Sequence, residues 1–102
     1  MEERVPSHLS QKLLKRRKEL NLINQELLTL LNRRLRITLE IGKVKKEMGK
    51  KIYDAGREKE ILYGLKRKNK GPLEEKDLTK IFTTIMRVCR RSQIHIYRRS
   101  EP

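Results

Sequence analysis

This sequence has little of what stiffens or staples a small protein. Of 102 residues one is cysteine, one phenylalanine, three are tyrosine and none is tryptophan. The lone thiol, Cys89, excludes an internal disulfide and a thiolate metal cluster built from one chain, and it fits a reducing compartment. With hydrophobic residues at 35% and aromatics at 4%, one domain of this length has little bulk for a private core, so association with a second chain is expected. Apolar runs are only a few residues long, and residues 1–7 are charged and polar with no hydrophobic segment behind them. Neither a signal peptide nor a membrane span is expected, which places the protein in the cytoplasm and away from membranes. His8 and His95 lack a spaced partner, so no metal site is expected. Acids are scarce too, at 13 against 27 Lys plus Arg, a net charge of +14 that must favour anions of some kind. Because Glu19, Glu26, Glu40, Glu47, Glu58 and Glu60 are interleaved with the bases, the pattern describes solvated helix faces and not a disordered arm.

What is present is helical periodicity. From about Ser10 to Met48, Leu13, Leu20, Ile23, Leu27, Leu30, Leu31, Ile37, Ile41 and Val44 recur with a period near 3.5, which predicts one long helix. Gly42 is tolerable near its end and Gly49 is a natural stop. About 39 residues at 1.5 Å each span roughly 58 Å, more than two shorter helices of a small chain can cover, so a second chain is expected to cover the rest. Asp54 is a good N-cap for a second helix from about Ala55 to Asn69, with Ile61, Leu62 and Leu65 on its apolar face. Asn69 to Pro72 breaks the pattern, and Glu74, Glu75 and Asp77 suit the start of a third helix running to about Tyr97. Its positions Leu78, Ile81, Phe82, Ile85, Met86, Val88 and Cys89 are expected inside, with Arg87, Arg90, Arg91, Arg98 and Arg99 outside. The predicted fold is all-α, one long and two shorter helices, with a domain over 10–98, a flexible segment at 1–9 and a tail at 99–102.

Arg34 stands where this pattern calls for a leucine. Stepping by sevens gives Leu13, Leu20, Leu27, Arg34, Ile41 and Met48, an apolar stripe with a guanidinium inside it. An arginine half buried there needs an anion, and no Asp or Glu shares the stripe. The neighbouring stripe of Arg17, Asn24, Leu31, Thr38 and Lys45 adds two more cations, so the simplest anion is a ligand. Along one helix Arg34 and Lys45 are about 17 Å apart, but Arg17 and Lys45 about 42 Å, too far for one small ligand. If two long helices pack antiparallel, the partner subunit's Arg17 can complete a site with Arg34 and Lys45, giving two equivalent sites per symmetric dimer. At the start of the second helix Asp54, Arg57 and Glu58 cluster: Arg57 can fork onto a carboxylate, and either acid can accept from a hydroxyl. On the third helix Cys89 and Gln93, four apart, share a face, and Gln93 offers an amide donor.

In order and spacing these residues resemble the all-helical chorismate mutases. The resemblance rests on Arg17, on Arg34 followed by Glu40-Ile41-Gly42-Lys43-Val44-Lys45, on Asp54-Ala55-Gly56-Arg57-Glu58, and on Phe82 with Gln93 eleven residues on. It covers about residues 10–97 and implies an intertwined helical homodimer that converts chorismate to prephenate in the shikimate pathway to Phe and Tyr, without a cofactor. It further implies that the partner's Arg17 and Arg34 hold the two substrate carboxylates with Arg57 in support. Lys45 and Gln93 would donate to the ether oxygen, while Asp54 and Glu58 orient the ring hydroxyl. Cys89 stands where relatives often carry serine, among the substrate-facing positions, and Ala55 where proline is frequent. Relatives fused to other shikimate-pathway enzymes make such an enzyme a candidate partner.

The reaction suits the inventory. A Claisen rearrangement needs a folded conformer and stabilised charge on the departing ether oxygen, with no nucleophile and no base. Two other readings compete. An isochorismate pyruvate lyase on the same scaffold would share the carboxylate-binding residues. A basic helical nucleic-acid binder would use the runs at Lys50-Lys51, Lys66-Arg67-Lys68, Arg90-Arg91 and Arg98-Arg99, but it lacks a reading motif and stacking aromatics, and leaves Arg34 and the spacing of Gln93 unexplained.

Overall fold

A computed structural model describes residues 6–99. Three helices follow one another, α1 over Ser7–Glu47, α2 over Ala55–Lys68 and α3 over Glu75–Arg99. Helix α1 thus begins three residues before the expected Ser10. Residues 1–5 of the expected flexible segment and 100–102 of the expected tail lie outside the described residues.

The chain divides into two compact units, residues 1–34 and 35–102. In the first, which is helix throughout from Ser7, every described residue is exposed except the half-buried Glu19 and Arg34. Leu13, Leu20, Ile23, Leu27 and Leu30 all stand in the open, Leu20 at 55% and Leu27 at 52% exposure. A stripe of that size calls for cover, at about 1.5–3 kcal/mol for each leucine fully buried.

In the second unit α1 ends at a Schellman cap. Gly49 takes a φ of +68°, its N–H donates to the Lys46 carbonyl at 3.0 Å, and the Lys50 N–H reaches back to the Lys45 carbonyl at 2.8 Å. Asp54 caps α2 as expected, its carboxylate accepting from the Arg57 N–H at 3.0 Å. Asn69, expected as the last residue of α2, caps it instead, and its side chain braces the following turn through the Gly71 N–H and the Leu73 carbonyl. Gly71, at φ +73°, occupies the left-handed region that the turn requires.

The core lies along α3, where Leu78, Met86, Cys89 and Gln93 are buried against the second unit's other helices. Two expected core residues are not there. Ile81 and Val88, seven apart on the adjacent stripe, are exposed, because the cover over α3 centres on the Leu78–Met86–Cys89–Gln93 line, with Phe82 and Ile85 half buried beside it. Arg90 departs in the other direction, being half buried where the outside was expected.

Candidate active site

Among the described residues the most deeply placed polar side chain is Gln93, 7% exposed. Gly42 makes that position possible. It is the buried residue of α1, and a Cβ there would stand 3.2 Å from the Gln93 Cγ. At this close approach the Gln93 Nε2 donates to the Thr38 carbonyl at 2.6 Å. An amide nitrogen carries two hydrogens, so this bond fixes the group and leaves the second hydrogen for a ligand acceptor. The sequence marks Gly42 only as a tolerable interruption; the cue it carries is its place four residues after Thr38, on one helix face.

The segment between α1 and α2 is tied down by three consecutive residues, each to a different helix. The Ile52 carbonyl accepts from the Lys45 Nζ of α1 at 2.9 Å. The Tyr53 ring lies under the Arg90 guanidinium of α3, 4.4 Å from ring centre to Cζ. Asp54 caps α2. Lys45 is half buried, and its bond to Ile52 uses one of three ammonium hydrogens, so the charge is anchored while donors remain. The cap likewise occupies one oxygen of the Asp54 carboxylate and leaves the other available.

Glu58, one turn into α2, pairs with Arg90 across 32 residues of sequence, Nη1 to Oε2 at 2.5 Å. Both side chains are about three-quarters covered, at 25% and 27% exposure. Arg90 is the residue that sequence reasoning missed. Assigned to the outer face, it lies one turn before Gln93, a spacing that by itself does not tell a covered arginine from a solvated one. Arg57, by contrast, points outward and forms an exposed pair with Glu60 at 3.3 Å.

Cys89 is a buried thiol one turn before Gln93. Arg17 and Arg34 belong to the first unit, Arg17 exposed and Arg34 half buried. A cavity of about 680 Å³ is lined by Gln93 itself, together with Leu39, Gly42, Lys46, Ile96 and Tyr97 among others. Lys45, Asp54, Arg57 and Glu58 do not line it, so the cluster borders this cavity through Gln93.

The second unit therefore combines a fixed amide, an anchored ammonium and two carboxylates with open acceptor capacity. Such a set can hold a small polar molecule and stabilise charge on one of its oxygens. The family model for chorismate mutase type II matches residues 16–94. The chain belongs to that family. Two solved chorismate mutase structures from Thermus thermophilus agree with the membership. Form I shares 36% identity over 76% of this chain and 98% of its own, with a TM-score of 0.75. Form II shares 32% identity over 89% of this chain and 99% of its own, with a TM-score of 0.76. No curated protein matches. The chorismate mutase match begins one residue before Arg17 and ends one residue after Gln93, so it spans every site residue expected from the sequence.

Proposed function

We propose that the protein is a chorismate mutase, which rearranges chorismate to prephenate on the route to the aromatic amino acids. The observation that carries this reading is the family match over residues 16–94, with Gln93 buried and braced as an amide donor at the far end of it. In this reading Arg34, the partner subunit's Arg17 and Arg57 hold the substrate's two carboxylates, folding the enolpyruvyl arm over the ring as a near-attack conformer. Lys45 and the second Gln93 hydrogen donate to the ether oxygen. Negative charge grows there as the C–O bond breaks, so these donors bind the transition state more tightly than the substrate. Asp54 and Glu58 accept from the ring hydroxyl, and Cys89 lies on the substrate-facing side of α3. Arg57, now paired with Glu60 in the open, has only a weak exposed pair to give up.

The working unit is a homodimer, because the exposed stripe of the first unit then meets a second copy and the partner's Arg17 is brought to the site. The excess positive charge steers a dianion toward it. Among the described residues no helix is long and apolar enough to cross a membrane. The cytoplasm is the location we propose for the protein. Association with another shikimate-pathway enzyme is a further proposal, drawn from the family resemblance.

The test is loss of chorismate with identification of the product, beside Arg34→Ala at equal protein concentration. Prephenate from the wild type alone supports both the reaction and the residue. Inert chorismate would overturn the reading, and would direct the assay to isochorismate and then to nucleic acid.

A further inference from the structure

We infer that Arg90, seated on the Tyr53 ring, is a positioning residue that sets the Glu58 carboxylate for the substrate's ring hydroxyl, an inference that rests on the mutase reading. Three elements converge in this one contact: α3 supplies Arg90, α2 supplies Glu58 and the intervening segment supplies Tyr53. The Arg57–Glu60 and Arg16–Glu19 pairs are short-range contacts within a helix and largely exposed, whereas Arg90 and Glu58 are 32 residues apart and mostly covered.

The geometry divides the labour of the carboxylate. Arg90 donates to Oε2, which leaves Oε1 to accept from a hydroxyl. A glutamate in the first turn of a helix has several rotamers, and ordering it on each binding event would cost entropy. Arg90 removes that freedom beforehand, and the Tyr53 face limits where the guanidinium itself can go. Charge points the same way. A lone carboxylate beside a dianionic substrate is repulsive, and a carboxylate already paired with a guanidinium is not. Lysine would be a poor replacement, because it lacks the planar fork that pairs with a carboxylate while stacking on a ring.

The experiment measures kcat and KM for wild type, Arg90→Met, Arg90→Lys, Glu58→Gln and the Arg90→Met/Glu58→Gln double variant, with chorismate and with an analogue whose ring hydroxyl is replaced by hydrogen. Arg90→Met is expected to lose about tenfold or more in kcat/KM on chorismate, with much of it in KM, and far less on the deoxy analogue. Arg90→Lys is expected to recover part of that loss. In the double variant the second substitution should add little to the first. Equal losses on the two substrates, or additive effects of the two substitutions, would show a merely structural role and overturn the inference. Should Arg90→Met fail to fold, Arg90→Lys and Glu58→Gln carry the same substrate comparison. A wild type that leaves chorismate untouched would instead overturn the mutase reading beneath it.

Discussion

Residues 6–34 expose every position except Glu19 and Arg34, whereas residues 35–99 bury Gly42, Leu78, Met86, Cys89 and Gln93 among three helical segments. The two regions share the same leucine and isoleucine periodicity. A 3.5 period specifies an apolar face, but the cover for that face has to come from elsewhere. In the second region α3 provides it for part of α1, and there polar groups are held by packing: Gln93 by Gly42 and Thr38, Glu58 by Arg90. In the first region the face is open, and its two candidate ligands, Arg17 and Arg34, sit on a helix that no other element of that region covers. The proposed homodimer resolves the contrast by letting a second copy supply both the cover and one cation.

Arg34→Ala breaks the contrast most sharply, because it removes charge from the first region without touching its leucines. The expected loss in kcat/KM is about a thousandfold, the upper end of what losing one preorganised electrostatic donor costs, with the helical circular dichroism signal retained. Mixing Arg34→Ala with Arg17→Ala should restore one intact site per heterodimer, read as recovered turnover after verified subunit exchange. No recovery would argue against a site shared between chains. Leu20→Asp does the reverse, leaving the cations and spoiling the face. Two buried carboxylates per symmetric dimer cost several kcal/mol, on the order of what dissociation requires. Sedimentation should show a monomer at concentrations where the wild type is dimeric, and an unchanged mass would sink the proposed interface.

The helices, their caps and the second region's polar inventory were legible because each rests on local chemistry. Asp54 caps α2 and Gly49 ends α1 through bonds that span a handful of residues. Gln93 was legible as an amide in an otherwise apolar and basic strip. Arg90 was not, because an arginine near the end of a basic helix reads as solvated unless the carboxylate and ring that receive it are known, and Glu58 and Tyr53 lie more than 30 residues away in sequence. Ile81 and Val88 failed for the opposite reason. The periodicity that put them inside assumes a cover that the second region's own helices do not give them.

Gly42→Ala tests whether packing and chemistry are coupled in the second region. Alanine in a helix interior is favoured over glycine by about 1 kcal/mol, but here its Cβ would press on the Gln93 Cγ from 3.2 Å. The side chain must give by a few tenths of an ångström while its amide is held on Thr38, so the two effects on stability offset. A free energy of unfolding within about 1 kcal/mol of wild type is expected, together with a roughly tenfold fall in kcat as the donor leaves its line to the ether oxygen. Unchanged kcat would mean that Gln93 is a packing residue and not a donor.

The smallest expected effect is that of pH, and it separates the two kinds of donor the site could have used. A carboxylic acid donates only while protonated, so a site built on one would lose turnover as pH rises through its titration. The Gln93 amide carries no titratable proton, and its donation to the ether oxygen is the same in mild acid as in mild base. The profile of kcat/KM should therefore be flat from about pH 6 to pH 8. Gln93→Glu should replace that plateau with activity that falls as pH rises, because the new side chain then trades its donor for a charge facing the oxygen that becomes negative. A wild-type profile already falling above about pH 6 would assign the donation to an acid elsewhere and take Gln93 out of the mechanism.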